Sequence, residues 1–160
     1  MIFLTYENVI DKYEETHIEH INVPTKYYSK KDEDTECSYQ NFTRMFSLSN
    51  LEFFTITVLV GKLFSEGRKK LEDYGGQFIK FKDSTDSKDE ITILKSLAVN
   101  EVKNIYILKD YAAMREIWQE YSYAGFEKLW EWYSDEDIDF QTKISEELLN
   151  IFTFNKIDEN

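Results

Sequence analysis

Between residues 111 and 133 the apolar side chains recur at steps of three and four. Met114, Ile117, Trp118, Tyr121, Gly125, Leu129 and Trp132 share one side, while Arg115, Glu116, Glu120, Glu127, Lys128 and Glu131 occupy mostly the others. That period predicts an amphipathic helix, with Asp110 placed as its N-cap. Gly125 inside such a helix costs about 1 kcal/mol against Ala, so it is expected to admit a close helix or side-chain approach. A second pattern runs from Leu51 to Phe64, apolar on nearly all faces and opened by Ser49-Asn50-Leu51-Glu52. The Ser/Glu spacing is that of a capping box, and a helix apolar all round is expected to be central and buried. Gly67 fits its C-terminal stop.

Weaker periodicities complete the outline. Ser87 to Glu90 repeats the capping spacing before Ile91, Leu94, Leu97 and Ala98, predicting a further helix. Asn8 to about His20 predicts an N-terminal helix closed by the Asn22-Val23-Pro24 break. Asp137 to Phe152, with Phe140, Ile144, Leu148 and Ile151 in step and Ser134 as cap, predicts a last one. Gln77 to Phe81 alternates with period two and predicts a short strand, with Ile105 to Leu108 as its candidate partner. The charged stretch 26–36 reads as a flexible connection and 153–160 as a frayed tail. The expected fold class is therefore mainly α: a single compact domain over residues 1–160 with about five helices and a minor two-stranded β element.

Composition narrows the function classes. Five Gly and one Pro among 160 residues disfavour barrels and propellers, which need tight turns. Neither G-x-G-x-x-G nor G-x-x-x-x-G-K-[ST] occurs, so glycine-rich phosphate loops have no candidate and no cofactor is implied. Aromatic residues make up 16%, enough for a real core despite a mean hydropathy of −0.54. The net charge of −12 repels a phosphate backbone unless the basic groups are segregated. They partly are: six basic residues face three acidic ones from Gly61 to Lys82, against six and fourteen from Glu101 to Asn160. Cys37 is the single cysteine, and the N-terminus has neither the basic nor the long apolar region of a signal peptide. A cytoplasmic location is expected, with no membrane partner.

Few residues offer chemistry. His17 and His20 stand three apart, whereas helical zinc pairs stand four apart around a Glu base, and no clear third ligand is present. No metal site is expected, and a hydrolase built on His17, His20 or Cys37 ranks last among the readings. Asp135 to Asp139 lacks the glycine and terminal glutamate of a calcium loop and reads as a solvated helix cap. Gly67-Arg68-Lys69-Lys70 is the best candidate for contact with an acidic partner or with nucleic acid.

Three segments in chain order carry a resemblance. Phe54 to Phe64 is an apolar run leading to Gly67-Arg68-Lys69-Lys70; Ile93 to Val99, with Leu97-Ala98, leads to Ile105 to Leu108; Ile117 to Leu129 contains Glu120-Tyr121-Ser122-Tyr123-Ala124-Gly125. This layout resembles the small DNA phosphorothioation-associated (dnd system-associated) proteins of bacterial defence islands, or a sister family of small antiphage subunits. It covers Leu51 to Tyr133, and Gly61, Gly67, Arg68, Glu120, Tyr121 and Gly125 match the pattern, although the Tyr121-Ser-Tyr-Ala-Gly order departs from it. The resemblance implies an operon-encoded accessory subunit working with a larger ATPase or nuclease, and it transfers no catalytic residues. The expectation is a non-enzymatic interaction subunit whose partner-binding candidates are Arg68, Lys69, Lys70, Glu120, Tyr121, Tyr123, Phe126, Trp130 and Tyr133. The alternative is an acidic DNA mimic, encoded by a phage or plasmid, that inhibits a nuclease or restriction system. Direct nucleic-acid contact is not expected to be its primary role.

Overall fold

The computed structural model describes residues 20–30, 35–73, 76–80 and 88–147. In chain order these form β1 (His20–Val23), α1 (Tyr39–Phe46), α2 (Asn50–Phe64), β2 (Gly76–Lys80), α3 (Lys88–Val102) and α4 (Tyr111–Ser134). A further helix, α5, covers 140–147. Thr25–Tyr27 and Ile105–Lys109 are single 3₁₀ turns. The fold is mainly helical with a small two-stranded antiparallel sheet.

The core is the crossing of α2 and α4. Ser49 and Glu52 form the complete capping box, the Ser49 hydroxyl accepting from the Glu52 amide and the Glu52 carboxylate accepting from the Ser49 amide, each at 3.1 Å. Asp110 caps α4 by accepting from the Ala113 amide at 3.0 Å. The helices meet at Gly61 and Gly125. A Cβ on Gly125 would overlap the Thr57 carbonyl oxygen and lie 2.6 Å from the Gly61 nitrogen. One on Gly61 would strike the Tyr121 carbonyl. Only hydrogen atoms fit between these backbones, which is the close approach anticipated for Gly125.

Around the crossing lies a fully bonded hydroxyl cluster. Thr57 Oγ1 is 2.7 Å from Ser122 Oγ, which is 2.8 Å from the Tyr39 hydroxyl, and Thr57 also donates to the Phe54 carbonyl at 2.6 Å. Such satisfaction lets three polar groups sit in an apolar core without an unmet desolvation cost. Tyr39 stacks on Phe126 at 4.3 Å, so α1 closes one face of the crossing.

The ribbon covers another face. β1 pairs with β2, and the register slips between Ile21 and Asn22, so the consecutive residues Phe78 and Ile79 are both buried. Gln119 of α4 accepts from the Asn22 amide at 2.8 Å, and Tyr111 donates to the His20 carbonyl at 3.2 Å. The strand predicted near Gln77 is therefore present, but its partner is His20–Val23 and not Ile105 to Leu108. Asn104 instead accepts from the Tyr106 amide at 2.9 Å and winds Ile105–Lys109 into a 3₁₀ turn. His20 likewise belongs to a strand, not to the end of a helix; the rest of the predicted N-terminal helix lies outside the described residues.

Three other expectations need correction or bounding. α1 was not anticipated. The last helix begins at 140, not at Asp137, because the Asp135 carboxylate accepts from the Asp137 amide and holds a turn there. Ser134 closes α4 and caps nothing that follows. Within 26–36, Tyr27 and Tyr28 pack against the core, while 31–34 fall outside the described residues, as do Ser87, Leu148, Ile151 and the tail 153–160.

Candidate functional site

The basic turn is built into the fold. After α2, the chain passes Gly67 at φ +147° and is tied to α4 by a hydrogen bond from the Lys69 amide to the Glu120 carbonyl at 3.1 Å. Lys69 pairs with Glu127 and lies 4.5 Å above the Tyr123 ring. Arg68 Nε stands 3.7 Å from Glu101 and 4.0 Å from Glu120. Lys62 adds a 2.7 Å contact to Glu101, which also accepts from the Tyr121 hydroxyl at 2.6 Å. The positive stretch thus spends three of its charges, Lys62, Arg68 and Lys69, on acids of the negative C-terminal third. Lys70 is exposed.

These contacts set the acidities. Burial raises Glu101 and Glu127, but hydrogen bonds from Lys62 and Tyr121 to the first, and from Lys69 and Tyr27 to the second, outweigh it and leave both below the usual carboxylate range. Glu120 behaves oppositely: burial dominates the more distant Arg68, and its carboxyl is raised. Tyr27 is pushed upward by burial and by its 2.7 Å hydrogen bond to Glu127. Burial lifts the Cys37 thiol to about 11, so it is protonated at neutral pH and a poor nucleophile.

The expected aromatic docking surface is largely interior. Phe126 is 0% exposed, Tyr123 1% and Tyr121 6%. The reason is that α4 is covered on more than one side. Tyr27, from the turn after β1, packs at 4.7 Å from Phe126 and 6.0 Å from Tyr123, two residues outside the predicted stripe. Trp130 and Tyr133 are half-buried and edge a cluster with Phe42 and Phe140. Glu120 is also half-buried. The nine candidates therefore divide among the ion-paired turn, the core and the edge of one aromatic cluster, and do not form a single face.

A different surface is open. Between α2 and α5 runs a groove of about 410 Å³. Its α2 wall includes Ile56, Leu59 and Leu63, its α5 wall Phe140 and Ile144, and Leu129 and Trp132 of α4 and Phe46 of α1 contribute to the rest. Among the described residues the exposed lining is wholly apolar; Glu147 contributes to the wall, where it pairs with Lys143 at 2.8 Å. Leu63 at its lip is 51% exposed. The volume is in the range of pockets that take a ligand or the side chains of a partner.

Comparison with known proteins adds nothing to this picture. No protein-family model, curated protein or solved structure matches the chain. Among the described residues no three His, Cys, Asp or Glu side chains gather as a metal site, and no single helix is long and apolar enough to cross a membrane. His17 lies outside the described residues, and His20 sits in β1.

The groove was overlooked in the sequence, yet its signal is there. Ile56, Leu59 and Leu63 stand at i, i+3 and i+7 on a helix whose other faces already meet α1, α3 and α4. A helix apolar all round within so small a domain has more apolar surface than its own neighbours cover.

Proposed function

We propose that the chain is a non-enzymatic interaction subunit that docks on a larger protein, an ATPase or nuclease subunit of a bacterial antiphage defence complex. The observation that carries docking is the apolar groove with Leu63 half out of the surface, the kind of concave apolar patch that marks an interaction site on small domains. The defence setting rests on the Gly-Arg step after α2 and the Glu120-Tyr121…Gly125 pattern in α4, which resemble the dnd-associated proteins. The test is co-expression with the genes that flank its own, followed by size-exclusion chromatography. Co-elution with one neighbour supports docking, and elution as an isolated monomer beside every neighbour defeats it.

A second reading, a DNA mimic acting on a nuclease, is favoured by the exposed acids Asp135, Glu136, Asp137 and Asp139 between α4 and α5. It requires a nuclease complex that DNA competes away, and it falls if charge reversal at these positions leaves that complex unchanged.

A further inference from the structure

We infer that the groove receives a basic amphipathic helix of the partner protein, an inference that rests on the docking reading and specifies its chemistry. The shape argues for a helix. An apolar cavity of about 150 Å³ holds one benzene-sized group, so 410 Å³ accommodates two to three large side chains, the number a helix presents at i, i+4 and i+7. The all-apolar lining offers nothing for a strand's amides to pair with.

Charge selects the flanks. From Asp135 to Glu147, the segment that forms one wall and the approach to it, there are six acidic residues and one basic residue. That basic residue, Lys143, is held by Glu147 and lies 5.6 Å from the Trp132 ring, so it cancels one acid and leaves the segment with a net charge of −5. On the facing wall the nearest cation of α2, Lys62, turns away to Glu101. A helix with lysines or arginines beside its apolar stripe is attracted here, and one with glutamates is repelled.

The test uses the full chain and two synthetic helical peptides with the same leucine stripe, one flanked by lysines and one by glutamates. Binding is followed by calorimetry and by emission of the groove's Trp132. Saturable one-to-one binding of the lysine peptide is expected, at least tenfold weaker for the glutamate peptide. Leu63→Lys, at an exposed site near a helix C-terminus where Lys is tolerated, should weaken it at least tenfold while keeping the far-ultraviolet spectrum and melting temperature. Glu147→Gln should weaken it about threefold. Equal affinity for both peptides, or binding indifferent to Leu63→Lys, overturns the inference. So does binding that appears only after the chain is cut behind Glu147, since the following residues would then own the groove. Concentration-dependent dimerisation that Leu63→Lys abolishes, with no peptide bound, overturns it in favour of a second copy. If neither peptide binds while co-elution with a neighbour persists and Leu63→Lys abolishes it, the basic helix is wrong and docking stands.

Discussion

Replacing Gly125 with Ala should destabilise the protein although it improves helix propensity. The new methyl would overlap the Thr57 carbonyl and sit 2.6 Å from the Gly61 nitrogen, and both are backbone atoms of a helix that cannot rotate away. The overlap with the Thr57 carbonyl oxygen is the larger, so restoring ordinary contact at about 3.5 Å requires α2 and α4 to part by about 2 Å. Over a contact patch roughly 10 Å on a side, that opens about 200 Å³, or about 5 kcal/mol at ~24 cal/mol per Å³. The 2.7 Å bond between Thr57 and Ser122 is stretched as well, which costs a further 1 kcal/mol or so. The propensity gain of about 1 kcal/mol offsets part of this, leaving roughly 5 kcal/mol. Urea unfolding followed by circular dichroism would show a lower midpoint with an unchanged slope. Gly61→Ala should cost a similar amount, and the double variant should cost less than the sum, because parting the helices once relieves both clashes. An unchanged or raised midpoint for Gly125→Ala would refute the crossing as described.

Ser122→Ala should cost about 1–3 kcal/mol by removing the shared partner of Tyr39 and Thr57, more than Tyr39→Phe, which leaves the Thr57–Ser122 bond intact; denaturant midpoints of the two variants check the order. Glu101 and Glu127 have folded acidities below the unfolded value of about 4.3, so their stabilisation is complete above that value and is lost as the pH falls through the folded one. Glu101→Gln should accordingly lower the melting temperature at neutral pH and converge with wild type in acid, at about 0.2–1 kcal/mol for so accessible a pair. Glu120 runs the other way: its raised acidity means the ionised form disfavours folding, so Glu120→Gln should stabilise at neutral pH, with an advantage that fades as the pH drops and Glu120 takes up its proton. Melting curves of the two variants across the acid range test these opposite signs.

What could be read in the sequence followed the strength of each local signal. The capping box at Ser49, the Asp110 cap and the stripe from Met114 to Trp132 are local codes, and the helices they mark were placed within a residue or two. α1 had the same kind of code, with Ser38 accepting from the Asn41 amide and Tyr39, Phe42 and Phe46 at helical spacing, but it is short and follows a charged stretch that masked it. β1 could not be read in the same way. His20–Val23 is four residues long, and its conformation is fixed by β2, by Gln119 and by Tyr111, all distant in sequence.

The site shows the same division. The charge segregation between Gly61–Lys82 and the C-terminal third is visible in the chain, but only the fold reveals that Lys62, Arg68 and Lys69 are turned onto Glu101, Glu120 and Glu127. Tyr123 and Phe126 look like surplus aromatics along a helix until Tyr27 and Tyr39 arrive to cover them, and Tyr121 until Lys62 and Glu101 close on it. Leu63 looks like one more apolar residue of a buried helix, and it becomes informative only once α5 leaves it uncovered.

Co-elution of wild type and Leu63→Lys with the protein encoded next to this chain decides whether the groove is the docking surface. A stable complex is expected with wild type, and none with a Leu63→Lys protein that melts at the wild-type temperature. A complex that forms equally with both would contradict it.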